Sequence, residues 1–432
     1  MPIQEASYDL LIIGGGPGGS CAAALARQKN LRVLVVEKCA FPRFRIGESL
    51  LPMANSILRE TGVWEKIESA GFMPKLGAEF HTADGSESKH LIFSEGYVPN
   101  LDRAFQVERA RFDTLLLDHA RELGAEVRME TNVIAVESTP DTNRVTLVNA
   151  SNESYTVTVP WVIDSTGRET NLTSEQKRTL DPSPFPKRMA IYSHFHGVNR
   201  SSWCNPGNIV VVRIENGWFW FIPLDQHRTS VGLVTTVEAF RQRAIPSEKF
   251  FQDTVAHAPK LRQLLANATP TMEFRVTTDY SYFRTELARE RLILVGDAAG
   301  FFDPIFSSGV YMAMYSARNA VELIARAHQA KRTLSVRERN RYKSTIKRHA
   351  GVFQKLIGAF YDNDAFAVFM SQKVPWGMAS GLTSIVAGHA QLTWPLWWRF
   401  NLFLLACRVQ RHWRIVPRGD QQTPEFAEAK TS

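Results

Sequence analysis

Asp9-Leu-Leu-Ile-Ile-Gly-Gly-Gly-Pro-Gly-Gly-Ser20 is the stretch on which the fold turns. Its apolar run, residues 10 to 13, reads as a parallel strand buried on both faces. The run leads straight into Gly14-Gly-Gly16-Pro17-Gly-Gly19, a match to G-x-G-x-x-G. Gly14 permits the tight turn, Gly16 lets backbone approach a pyrophosphate, and Gly19 allows close helix packing. Pro17 opens the helix, and Ser20, Ala22, Ala23, Ala24 and Ala26 keep its sheet-facing side small. A helix N-terminus here offers amides and a positive dipole end to phosphate. Arg32-Val-Leu-Val-Val-Glu37 then reads as a second strand ending in an acid. Glu37, with Lys38 beside it, is placed to meet ribose hydroxyls. The order strand, glycine loop, helix, strand, acid specifies a dinucleotide site far better than the glycines alone.

The whole chain is consistent with that start. Its 432 residues are enough for two or three domains, with 44% hydrophobic and 22% charged residues. The cysteines Cys21, Cys39, Cys204 and Cys407 are scattered, with no CxxC pair. Neither a disulfide framework nor a metal site is expected, and a reducing cytoplasm fits. The first residues lack a basic segment followed by an apolar one, so no signal peptide is expected. The net charge of +8 is concentrated late, in Arg326, Lys331, Arg332, Arg337, Arg339, Arg341, Lys343, Lys347 and Arg348. No nucleic-acid motif accompanies them, so they read as a solvated helix face.

A second motif separates FAD from NAD. Arg291-Leu-Ile-Leu-Val-Gly296-Asp297 is another apolar strand, ending in Gly-Asp. An acid there is suited to ribityl hydroxyls, although Asp297 would serve equally as a helix N-cap. Together the two motifs resemble the FAD-binding proteins of the para-hydroxybenzoate hydroxylase fold over most of residues 6 to 330. The resemblance implies that Arg109 contacts the flavin and that Asp164-Ser-Thr-Gly167 closes the nucleotide site. The expected class is α/β (α+β). A Rossmann-like FAD-binding domain (1–70, 100–180, 275–330) is interleaved with a β-sheet substrate domain (71–99, 181–274). A helical C-terminal region (331–420) and a polar disordered tail (421–432) follow.

Gly217-Trp-Phe-Trp-Phe-Ile-Pro223 alternates in the period of a strand. Trp218, Trp220 and Ile222 share one face; Phe219 and Phe221 share the other. The run fits a buried strand, with Pro223 limiting further pairing. It also matches the WxWxIP signature of flavin-dependent halogenases. Phe301-Phe-Asp-Pro-Ile-Phe-Ser-Ser-Gly309 matches the Fx.Px.SxG pattern of the halogenases of phenols and pyrroles, at Phe302, Pro304, Ser307 and Gly309. Lys75, in Pro74-Lys-Leu-Gly-Ala-Glu-Phe80, resembles that family's essential lysine.

The resemblance to flavin-dependent halogenases implies a complete reaction. Reduced FAD, delivered by a separate flavin reductase, reacts with O2 and chloride or bromide to give hypohalous acid. Lys75 directs the electrophilic halogen to an aromatic carbon. Ser308 and Gly309 hold halide, Ser307 marks the passage, and Trp218, Trp220, Ile222 and Pro223 partition flavin from substrate. The loop Arg45-Ile-Gly-Glu-Ser49 resembles the flavin-side loop, with Glu48 contributing to catalysis and Arg45 and Ser49 to cofactor binding. Tryptophan halogenases carry a glutamate where this chain has Phe306, which points to a phenol or pyrrole in the substrate pocket, free or tethered to an acyl or peptidyl carrier protein.

The segment from Leu392 to Cys407 is aromatic and apolar, followed by Arg408, Arg411 and Arg414. Capping the cavity, lying on a membrane surface and docking an acidic carrier all fit it. Two rival functions remain on the sequence alone: an aromatic hydroxylase or isoprenoid-type reductase of the same fold, and a non-enzymatic flavin-binding protein of membrane surfaces.

Overall fold

The computed structural model describes residues 8–169, 180–181, 185–278, 281–301, 303–372 and 377–417. The N-terminal residues read for a signal peptide, Phe302, and the tail 421–432 lie outside them. The chain is α/β. One sheet holds five parallel strands in the spatial order Leu292–Leu294, Trp161–Asp164, Leu10–Ile13, Val33–Val36, Glu126–Arg128. The four residues of Leu10–Ile13 and of Val33–Val36 are all buried, as strands covered by helices on both faces require. Helix Pro17–Gln28 packs on this sheet and against helices Arg109–Glu122 and Ser308–Gln329. A β-carbon on Gly19 would sit 1.8 Å from the Gly14 carbonyl oxygen, so only glycine permits this approach. Gly14 has φ +100°, the left-handed region that glycine enters without penalty.

A second, eight-stranded sheet stands beside the first. Its main path runs Thr269–Pro270, Arg188–His196, Arg228–Thr236, Gly217–Pro223, Ile209–Ile214, Gly77–Thr82, Ser88–Ile92, and Arg275–Thr278 also pairs with Arg188–His196. The tryptophan strand lies at its centre, hydrogen-bonded on both sides, and Pro223 is its last residue. The alternation read from the sequence divides two cores. Trp218, Trp220 and Ile222 join the main core, and Phe219 and Phe221 join a smaller one with Phe195, Phe251 and Leu261. Each tryptophan removes on the order of 200 Å² from water, about 5 kcal/mol as an upper estimate. That is comparable with the net stability of a whole domain, so this strand is structural whatever else it does.

The C-terminal third is helical. Val336–Tyr361 begins with a capping box between Ser335 and Glu338. Trp394–Trp413 packs on Asn363–Met370 and Met378–Val386. Trp394, Trp397, Leu405 and Trp413 remain exposed on it. Among the described residues, no helix is long and apolar enough to cross a membrane. All four cysteines are free.

Candidate active site

Parallel strands gather their carboxyl ends on one side. Ile13 pairs with Val36 and with Asp164, and Asp164 with Leu294, so four strand ends converge. A cavity of about 1210 Å³ opens there and runs on to the tryptophan strand. It exceeds the roughly 300–1,000 Å³ of an ordinary small-ligand pocket, as a dinucleotide requires.

At one end the wall comprises Gly14, Gly16, Pro17, Glu37, Lys38 and Gly167. Gly19 and Asp164 stand behind it. Gly19 sets the helix approach, while Asp164, fully buried, accepts from the Thr166 amide at 3.1 Å and hydroxyl at 2.7 Å. Glu37 accepts from the Gly15 amide at 2.8 Å and the Cys39 amide at 3.0 Å, holding the glycine loop against the second strand. Gly16 is extended and no side chain caps the helix that Pro17 begins. Its first turn therefore presents amides and dipole to the cavity, the chemistry a pyrophosphate needs.

Further along, Arg45, Glu48, Ser49, Arg109, Gly296 and Asp297 line the wall. Arg109 makes a forked pair with Asp113, at 2.7 and 2.8 Å, and donates to the Ile46 carbonyl at 3.0 Å. It thus buckles the Arg45–Ser49 loop to helix Arg109–Glu122. Burial pushes the Asp297 carboxyl up to about 6, against the pull of Arg168, Arg109 and Arg45. At neutral pH it remains chiefly a carboxylate, able to accept from hydroxyls. The glycine cradle, the uncapped helix, the acid at the far strand end and the cavity's length fit FAD.

Trp218, Trp220 and Ile222 form the wall at the other end; Pro223 does not reach it. The two indoles lie 5.9 Å apart, and Tyr192 lies 5.9 Å from Trp220. Gly232, opposite Trp220 in the register, leaves the space this indole fills: a β-carbon there would lie 2.2 Å from the ring. Pro304, Ser307 and Gly309 face the same space. Ser307 has φ 55° and caps helix Ser308–Gln329; Ser308 is buried behind it. Phe306 is 2% exposed, packed among Phe80, Phe360 and Phe369, and does not reach the cavity wall.

Lys75 also lies just behind the wall. It is 1% exposed, yet its ammonium finds only neutral acceptors: Ser49 Oγ at 2.9 Å and the Leu50 carbonyl at 2.9 Å. Burial pulls its pKa down to about 7. Ser49 is itself a wall residue, so one hydroxyl separates this amine from the cavity.

Several residues that contact the site's side chains escape a reading of the sequence. His194 Nε2 lies 2.8 Å from Glu48 Oε1, inside the core, although 146 residues separate them. Tyr361, from the C-terminal region, accepts from the Trp218 indole at 2.7 Å and donates to Asp303 at 2.6 Å. Arg188 stacks 3.5 Å over the Tyr361 ring, with its Nε 3.6 Å from Asp303. Glu48, Trp218 and Asp303 lie within recognised motifs; His194, Tyr361 and Arg188 do not.

Comparison with known proteins gives the family. The family model described as tryptophan halogenase matches residues 9–100 and 86–367. The 1H-pyrrole-2-carbonyl-(peptidyl-carrier protein) chlorinase of Pseudomonas fluorescens is 32% identical over 382 residues, 83% of each chain. The corresponding brominase of Pseudoalteromonas luteoviolacea is 30% identical over 328 residues, 74% of this chain and 78% of the relative. The myxobacterial chondrochloren halogenase, described as a new variant of FAD-dependent halogenases, superposes with a TM-score of 0.77 at 30% identity. That match covers 93% of this chain and 97% of the other. The chain belongs to the flavin-dependent halogenases, FAD-dependent oxidoreductases that use halide and O2.

Proposed function

We propose that this enzyme halogenates a pyrrole or phenol tethered to a carrier protein, with Lys75 as the group that delivers the halogen. The observation that carries the reading is the Lys75 amine. It is buried with no acid beside it among its hydrogen-bond partners, one hydroxyl from the cavity, and has a pKa of about 7. In the cavity lined by Gly14, Gly16, Arg45 and Arg109, reduced FAD supplied by a separate reductase would provide the electrons by which O2 oxidises halide to hypohalous acid. Ser307 and Gly309 face that space, with the Ser308 amide at a helix start suited to an anion. The indoles of Trp218 and Trp220 keep an aromatic substrate from the flavin and leave passage to a smaller oxidant.

At Lys75 both protonation states are accessible near neutrality. The ammonium donates to the oxygen of hypohalous acid and makes it a better leaving group. The neutral amine attacks the halogen, forming an N–X bond and releasing water. The aromatic carbon then takes X⁺ and loses its proton, and the amine is restored. Glu48, held by His194 and lining the cavity, relays the proton leaving the ring back to the Lys75 nitrogen. Phe306 and its phenylalanine neighbours add no carboxylate, so the ring must be activated by its own electrons.

Two curated relatives act on a pyrrole carried by a peptidyl-carrier protein. A surface of this chain suits such an acidic partner: Arg337, Arg341 and Arg348 stand exposed on one face of helix Val336–Tyr361. The test supplies enzyme, FAD, a flavin reductase, NADH, O2 and chloride or bromide. Substrates are pyrrolyl and phenolic thioesters on carrier proteins, and the same rings free; products are read by mass. Halogenated carrier-bound product is expected. Hydroxylated product without halogen would overturn the reading. Turnover of free rings alone would remove the carrier from it.

A further inference from the structure

On the face of the eight-stranded sheet turned away from the cavity, three side chains meet without a role in the reaction. Glu79 and His81 alternate on strand Gly77–Thr82, two residues apart and so on the same face. His90, on the adjoining strand Ser88–Ile92, is paired directly with Glu79. Their ligand atoms all lie within 4.8 Å of one another. The register places Val210 beside Glu79 and Val212 beside His81, and both valines belong to the smaller core, behind the tryptophan wall.

We propose that Glu79, His81 and His90 form a binding site for a divalent transition-metal ion of the zinc class. Two of the three residues are buried, and the atoms they aim at the common point have no hydrogen-bond partner: Glu79 Oε2 and His81 Nε2, 3.9 Å apart. A buried carboxylate oxygen without a partner is destabilising, and it normally finds one. The other oxygen of the same carboxylate is fully committed. Glu79 Oε1 accepts from the Asn208 side-chain amide at 3.0 Å and the Asn205 backbone amide at 3.2 Å. That arrangement fixes the carboxylate and turns Oε2 toward the histidines, as outer partners do for metal ligands. Two imidazoles and a carboxylate are the donor set of zinc and its neighbours. Bonds of about 2.0–2.2 Å require the three side chains to draw inward. His90, exposed at the sheet edge, is free to make that adjustment and leaves a position for water.

The ion would act as a clasp. Among the described residues, Ser88–Ile92 is the last strand on the sheet's main path, and its outer edge pairs with no other strand of that sheet. A bond from His90 to Glu79 and His81 ties this edge strand to its neighbour.

The test uses the full chain without a polyhistidine tag, stripped with chelator, then titrated with Co²⁺ and with Zn²⁺ as competitor. We expect one saturable Co²⁺ site with visible ligand-field absorption, bleached by Zn²⁺, and a higher melting temperature with Zn²⁺. His90→Ala, at an exposed position, should weaken binding at least about tenfold and abolish the thermal shift; Glu79→Gln should do the same. Absence of saturable binding in the wild type, or equal binding by His90→Ala, would overturn the proposal. Halogenation by the stripped enzyme plays no part in either readout.

Discussion

The indole nitrogen of Trp218 donates to the hydroxyl of Tyr361 at 2.7 Å, and that hydroxyl donates in turn to Asp303 at 2.6 Å. One tyrosine thus joins the tryptophan strand, the loop that leads to Ser307 and the C-terminal helices. Burial raises the pKa of both Tyr361 and Asp303, so the neutral phenol holds this place at working pH. Tyr361→Phe removes the joint and keeps the ring under Arg188. It should cost about 1–3 kcal/mol, because a buried N–H and a buried carboxylate lose a partner together. Urea denaturation measures the loss. Released hypohalous acid, trapped by a thiol or chlorination-sensitive dye, should rise relative to halogenated product.

Lys75→Met should abolish halogenation while flavin binding persists, since the residue does not face the cavity wall. Its effect on stability has a defined pH dependence. The Lys75 pKa falls from 10.5 unfolded to about 7 folded. Between these values the unfolded chain binds the extra proton, so wild-type stability declines as pH falls from 10.5 to 7 and then levels. The shift corresponds to roughly 4–5 kcal/mol, partly offset in the variant by about 1–3 kcal/mol for the acceptors left behind. The variant should therefore be more stable than wild type at pH 7 and below, with its advantage shrinking as pH rises and reversing toward pH 10.5, where only the cost of the abandoned acceptors remains. Melting temperatures across that range decide it; a constant offset would contradict the burial argument.

His194→Ala leaves the Glu48 carboxylate buried without its partner. Leaving a buried polar group without its hydrogen-bond partner costs about 1–3 kcal/mol. We expect a lower denaturation midpoint and a fall in kcat of at least tenfold, with substrate KM little changed. His194→Gln, which keeps a donor, should recover more stability than activity.

Gly232→Ala tests the partition by shape alone. The new methyl would lie 2.2 Å from the Trp220 ring, so the indole must move. Flavin binding, measured by fluorescence quenching, should change little. The ratio of halogenated product to flavin oxidised should drop severalfold. An unchanged ratio would mean that Trp220 is packing only.

What could be read from sequence was what is local. Leu10–Ile13, the glycine loop and Glu37 lie within 30 residues, and each contact follows from spacing. The faces of Gly217–Pro223 followed from alternation, which does not depend on partners. The pairs that escaped are products of distant chain crossings. Glu48 meets His194 and Trp218 meets Tyr361; the first of each pair lies in a motif, but no motif announces its partner. Glu79, His81 and His90 come together through antiparallel register between two strands, which no local spacing announces. Phe306 shows the converse. Its motif placed it at the substrate pocket, but three phenylalanines from elsewhere in the chain enclose it.

The tryptophan strand has indoles toward one core and phenyl rings toward the other, with a period of two residues. A single inserted or deleted codon between Gly217 and Pro223 would exchange the two sets. It would present phenylalanines to the flavin space and force indoles into the smaller core, where Phe251 already fills the room. Lineages descending from this gene can therefore retune the passage by substitution at alternate positions, but not by changing the strand's length. Across homologues, gaps should fall in the flanking turns, and the strand itself should stay free of them.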